Sequence, residues 1–313
     1  MRRAFATTLA ELADRDPRII LLTGDLGYKA LEPFADRFPG RFLNVGVAEQ
    51  NMMGVATGLA EAGFLPFVYS IVTFAVLRPY EFLRNGPVLH RLPVRIVGVG
   101  GGFEYGTAGP THHGLEDVAL TRVLPGLTVV APADHQQART ALLATWDLPG
   151  PVYYRLGKDD RAVVPGLEGR YEPGQVPIVR RGTDLAFLTL GSVANEAVAA
   201  AELLAARGVS AAVAIVACVS PAPVLALQRL LRQYRLMLTV EAHYVAGGLG
   251  SLAAEVVTEH GLACRLVRCG VATAPDGISG SPAHWHAVHG LSAEALADIA
   301  LCEWRPVRRS LAA

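Results

Sequence analysis

The chain has 313 residues, with Lys+Arg and Asp+Glu equal at 28 each, so its formal net charge is zero at pH 7. That length buries a large core and fits two domains, and the charge balance excludes a whole-chain pull toward nucleic acid or an acidic membrane. Hydrophobic residues make up 51% of the chain and charged ones 18%. The longest apolar region, Leu185 to Leu227, is broken by Glu196, Glu202 and Arg207, which excludes a spanning helix and points to large subunit interfaces instead. Four cysteines (Cys218, Cys264, Cys269, Cys302) form no C-x-x-C pair and read as reduced structural residues of a cytoplasmic protein.

Helical periodicity over residues 3–14, with Glu11 and Asp14 arguing against a cleaved leader, leads past Pro17 to a strand run at Ile19–Leu22. The strand ends in Gly24-Asp25, and ligands gather beyond strand C-termini in α/β domains. A turn cap accounts for Asp25 equally well. Phe42, Leu43, Val45 and Val47 then run into a helix of small and apolar residues that starts at Glu49. No Lys or Arg lies within seven residues of Glu49 on either side. Such a carboxylate is either a partner of the helix dipole or a buried acid kept for proton chemistry.

The pattern next predicts a strand at Phe64–Tyr69, a helix at Ser70–Arg84 and a strand at Leu92–Val99. Gly100, Gly101 and Gly102 follow, but no G-x-G-x-x-G frame fits, so dinucleotide binding finds little support. Leu124–Asp134 reads as a strand and turn, and Pro151–Lys158 closes the first domain, residues 1–158. Residues 159–180 are a linker by their Pro and Gly content. Residues 181–313 form a second unit. It has strands at Leu185–Leu190, Val209–Val219 and Leu236–Glu241, with helices at Asn195–Arg207 and Pro221–Arg232. Alternation at this spacing predicts two doubly wound α/β domains with mostly parallel sheets. His284, His286 and His289 invite a metal reading, but zinc sites need three or four ligands on one face with supporting partners; no metal is expected in this chain.

The segment Gly46-Val-Ala-Glu-Gln-Asn51 and the Gly/Ala-rich helix after it resemble the start of the pyrimidine-binding domain in the transketolase family of thiamine diphosphate enzymes. The resemblance implies that Glu49 bonds the ring nitrogen of the cofactor's aminopyrimidine. The cofactor then supplies the hard chemistry and the protein one placed proton site. It puts Asp25 close to the cofactor pocket. It sets Ile71 and Phe74 at two positions usually held by Phe, leaving the stacking partner open between them. Gly109-Pro-Thr-His-His113 is similar to the family's G-P-T-H-Q, which gives His112 the role of facing the reacting carbonyl and puts His113 in place of Gln at the substrate. Arg155 matches an arginine that binds substrate phosphate, a job its fork of donors suits; an inter-domain salt bridge is the alternative. Ala108 and Gly100 replace an Asp and a His that contact the sugar and its phosphate, so donor and acceptor stay open.

Val240–Ser251 resembles the family's V-E-E-H-x-x-x-G-G-L-G-S segment, which makes Glu241 and His243 structural residues of a C-terminal domain used in subunit contacts. The family's G-D-G motif, which holds Mg²⁺ and the diphosphate, does not occur. The resemblance therefore implies a β-type subunit of a split transketolase. The thiamine diphosphate would be shared with a companion subunit that binds the Mg²⁺, in an α2β2 assembly without nucleic acid or membrane. The implied reaction moves a two-carbon ketol unit from a ketose or ketose phosphate to an aldehyde or other acceptor. The rivals are a 2-oxoacid dehydrogenase β-subunit, a deoxyxylulose-phosphate synthase-like enzyme and a non-catalytic scaffold.

Overall fold

A computed structural model describes residues 1–304; residues 305–313, the end of the second expected domain, lie outside the described residues. The first half of the chain runs α1 (Arg2–Ala13), β1 (Ile19–Thr23), α2 (Glu32–Arg37), β2 (Phe42–Asn44), α3 (Glu49–Glu61), β3 (Leu65–Ile71), α4 (Tyr80–Leu83), β4 (Arg95–Val99), α5 (Asp117–Arg122), β5 (Thr128–Val130), α6 (His135–Thr145) and β6 (Val152–Leu156). Its strands lie in the order β5-β6-β4-β3-β1-β2, all parallel. Every residue of β1, β3, β4 and β6 is buried, as expected of strands covered on both faces. Phe5 and Leu9 of α1 pack with Ala138 and Leu142 of α6 over one face, while Met52, Met53 and Ala56 of α3 cover the other.

The second half runs β7 (Ile178–Arg180), β8 (Leu185–Leu190), α7 (Ala194–Ala206), β9 (Ala211–Ile215), β10 (Cys218–Ser220), α8 (Val224–Leu231), β11 (Leu236–Tyr244), α9 (Leu249–Glu259), β12 (Arg265–Val271), α10 (Pro282–Val288) and α11 (Ala293–Glu303). Its five-stranded sheet has the order β12-β11-β8-β9-β7, parallel except at the edge strand β7. The doubly wound α/β class expected from the alternation is the class observed. No helix among the described residues is long and apolar enough to cross a membrane.

Two expected elements come out differently. The strand expected over Val209–Val219 is split: β9 stays in the second sheet, whereas β10 crosses over and pairs antiparallel with β5 of the first. Both sheets bury these residues, so an unbroken apolar run records burial but not which sheet receives it. The helix expected over Ser70–Arg84 is also absent in that form. β3 continues to Ile71, and five-residue π-type turns at Thr73–Leu77 and Arg84–Val88 flank the short α4. Pro79 and Pro87 have no N–H to give an α-helical ladder. The chain relaxes into wider i→i+5 turns instead, of which Arg78 N–H to Thr73 O, at 3.3 Å, is one.

Candidate active site

Three elements converge on Glu49. It is the first residue of α3, where a carboxylate is stabilised by the helix dipole, and it is only 1% exposed. Ser70, near the end of β3, donates its hydroxyl to Glu49 Oε1 at 3.1 Å. Gly24 follows β1 so closely that a Cβ there would lie 3.1 Å from the same oxygen. Arg78 donates Nη1 to Oε2 at 2.5 Å. The acid sits at the C-terminal edge of a parallel sheet, the side where ligands gather in this architecture.

Arg78 gives the acid a cation that its sequence neighbourhood does not contain. The partner comes from 29 residues along the chain, and the π-type turn that delivers it leaves no local spacing signal. Its guanidinium carbon lies 4.4 Å from the centroid of the Phe74 ring, a cation–π geometry. The Phe74 ring in turn meets His112 edge-on, centroids 5.1 Å apart at 76°. A flat, N–H-donating cation is thus held between a carboxylate and an aromatic face. Those are the two contacts an aminopyrimidine ring needs, so the residues fit such a group. The Arg78 side chain is 39% exposed and has solvent to move into.

Asp25 stands on the exposed turn after β1 with φ of 59°. Its N–H donates to Asn44 Oδ1 at 3.0 Å, and Asn44 Nδ2 donates back to its carboxylate at 2.9 Å. Asn44 was not singled out from sequence, although it lies in the motif's approach. Ile71 is the buried last residue of β3, whereas Phe74 is half-buried.

The loop carrying the two histidines is closed at its neck by Gly102 and Gly114, whose backbones exchange hydrogen bonds of 2.8 and 2.9 Å. His112 turns toward Phe74, with its Nδ1 2.9 Å from Thr111 Oγ1. His113 turns the other way, into the second domain. It is 3% exposed and meets Phe103 and Trp285 edge-on, at 5.1 and 5.3 Å between centroids. Neither of its ring nitrogens makes a hydrogen bond of normal geometry. Burial lowers its pKa from the ordinary 6.5, helped by the nearby His112 and His289. The structure therefore sets His113 apart from Glu49 and His112.

Arg155, on β6, is also turned inward. Nε donates to Asp117 Oδ2 at 2.9 Å, and Nη2 donates to the carbonyls of Gly114 and Ala242, each at 2.9 Å. It bonds the loop neck to the second domain. Glu241 accepts the N–H groups of Leu249 and Gly250, at 2.7 and 2.8 Å, capping α9. His243 places Nδ1 2.7 Å from Tyr244 O and accepts Ala119 N–H at 3.3 Å on Nε2. His286 faces Glu196 at 3.3 Å. Among the described residues no group of three or more His, Cys, Asp or Glu is placed to hold a metal ion.

Residues 1–161 match the family described as the transketolase pyrimidine-binding domain, and residues 174–296 match the transketolase C-terminal domain. The chain is 34% identical over 275 residues to a putative transketolase C-terminal section from Methanocaldococcus jannaschii, covering 87% of this chain and 86% of that protein. It is 34% identical over 271 residues to one of the subunits of the apulose-4-phosphate transketolase of Phocaeicola vulgatus, covering 85% and 86%. A solved structure described as a split gene transketolase, an inactive β4 tetramer, superposes with a TM-score of 0.87 at 35% identity, covering 97% of this chain and 99% of that one. The chain belongs to the transketolase family and carries that family's pyrimidine-binding and C-terminal domains.

Proposed function

We propose that this chain is the β-type subunit of a split, thiamine diphosphate-dependent transketolase. It works with a companion subunit that holds the diphosphate and Mg²⁺, as α2β2, and together they move a two-carbon ketol unit from a ketose or ketose phosphate to an aldehyde. The split relatives support this, since the chain spans nearly their whole length. The observation that carries the reading is the buried Glu49 carboxylate, set beside an aromatic face at the sheet's C-terminal edge. Bound thiamine diphosphate supplies a carbon nucleophile that the protein lacks.

The side chains divide the remaining work. Glu49 holds a proton site in a place water does not reach, and Ser70 fixes its orientation. Phe74 offers the stacking face, with Ile71 and Asp25 completing the cofactor-binding set. With His112 Nδ1 turned to Thr111, its Nε2 is the atom left to donate or take a proton at the substrate oxygen. His113 and Arg155 act on the substrate indirectly, by holding the loop that presents His112.

Reconstitution tests the proposal. The purified chain with thiamine diphosphate and Mg²⁺ should transfer no ketol unit, and adding a companion that contains G-D-G should restore transfer. Turnover by the chain alone contradicts the reading, and consumption of pyruvate in place of a ketose points to the 2-oxoacid rival.

A further inference from the structure

The loop that presents His112 packs closely against the second domain. Phe103 at its start lies nearly parallel to His289, centroids 5.2 Å apart at 2°, and stacks on Trp285 at 5.5 Å and 16°. Gly106 accepts the N–H of Gly280 at 3.2 Å, and a Cβ on Gly106 would come within 2.8 Å of Trp285 Cδ1. His113 closes the packing edge-on against the same indole. The ring nitrogens of His113, Nε1 of Trp285 and Nε2 of His289 are buried without partners. Ring packing therefore dominates this cluster.

Adjacent loop residues here face opposite ways: His113 enters this aromatic slot and His112 meets Phe74. Fixing one ring fixes the backbone that aims the other. We propose that Trp285 is a positioning residue for the reaction: seated in the C-terminal domain, it grips His113 and thereby aims His112. The proposal rests on the reading of His112 given above. It assigns to the C-terminal domain a part in setting the geometry of the chemistry, beyond subunit contact. Misplacing a reacting group by about 1 Å costs up to roughly 100-fold in rate, so a slackened loop should register in turnover.

The test uses the complex reconstituted with its companion, measuring kcat and KM for the ketose in His112→Ala, Trp285→Leu and their double variant. Trp285→Leu should lower kcat about tenfold or more and leave KM within about twofold. In the His112→Ala background it should cost little further, because groups that act as a unit are not additive. His113→Phe, which keeps the ring and drops the unused nitrogens, should retain at least about half of the turnover. Losses that multiply in the double variant, or an unchanged kcat in folded Trp285→Leu, overturn the inference. So does inactivity of a folded His113→Phe. An unaffected His112→Ala removes the reading beneath it. If Trp285→Leu does not fold, Gly280→Ala serves: its Cβ would meet His284 Cδ2 at 2.5 Å and Trp285 Nε1 at 3.1 Å. It should show the same kcat loss and the same non-additivity, and full activity in that variant counts against the proposal.

Discussion

Glu49 and Arg78 form a pair whose members are unequally exposed, 1% against 39% for the side chains. Removing one partner of a fully buried pair costs about 3–5 kcal/mol. Water around Arg78 screens the interaction, so about 1–2 kcal/mol is the better expectation here. Arg78→Met, which keeps an apolar stem over Phe74, should lower the urea stability of the isolated chain by that amount. Glu49→Gln should largely cancel the penalty in the double variant, and additive effects would show that the pair contributes nothing. At this scale the sequence was informative about the acid and silent about its cation. Glu49 and His112 stand in short motifs whose order survives in the linear chain. Arg78 meets Glu49 from beyond a π-type turn, and Asn44 meets Asp25 across the β1–β2 pair.

Between elements, the joint of the His112 loop and α10 carries a pH signature of its own. An unfolded His113 takes up a proton as pH falls through its ordinary 6.5, whereas burial keeps the native ring neutral to lower pH. The unfolded state then binds more protons, so stability is lost as pH drops below about 6.5. Urea titrations at about pH 7 and about pH 5.5 should show a steeper loss for the native chain than for His113→Phe, and equal slopes would contradict it. The other joint is Glu241 with α9, where two N–H groups of the helix N-terminus depend on one buried carboxylate. Glu241→Ala should cost roughly 2 kcal/mol, seen as a Tm lower by about 4–8 °C. Alternating strand and helix patterns made most of these elements legible. The π-type turns and the departure of β10 were not, because period and burial say nothing about turn width or about which sheet pairs with a strand. The opposite facing of His112 and His113 is likewise a property of loop backbone, invisible to residue type.

Across the whole molecule, one apolar cluster joins the domains, with Val68 and Ile96 of the first in the same cluster as Leu188 and Met237 of the second. Arg155 adds a polar pin between them. Arg155→Met leaves the buried Asp117 carboxylate without its cation, with only the Tyr153 hydroxyl at 2.7 Å, so it should cost about 3–5 kcal/mol and appear as a fall in Tm together with poor recovery of folded chain. A variant with unaltered Tm and a raised KM would instead make Arg155 a substrate ligand. The sequence conveyed the two-domain α/β plan well, since Gly-Val-Ala-Glu-Gln-Asn and the Glu-Ala-His segment mark both halves. It did not convey that the His112 loop is packed against the second half, because that contact is made by single rings at Phe103, His113 and Trp285. If Glu49 activates a cofactor shared with a companion chain, turnover of Glu49→Gln in the reconstituted complex is the decisive number. Glu49→Gln should lose at least about 100-fold in kcat with assembly intact; wild-type turnover in that variant rules the role out.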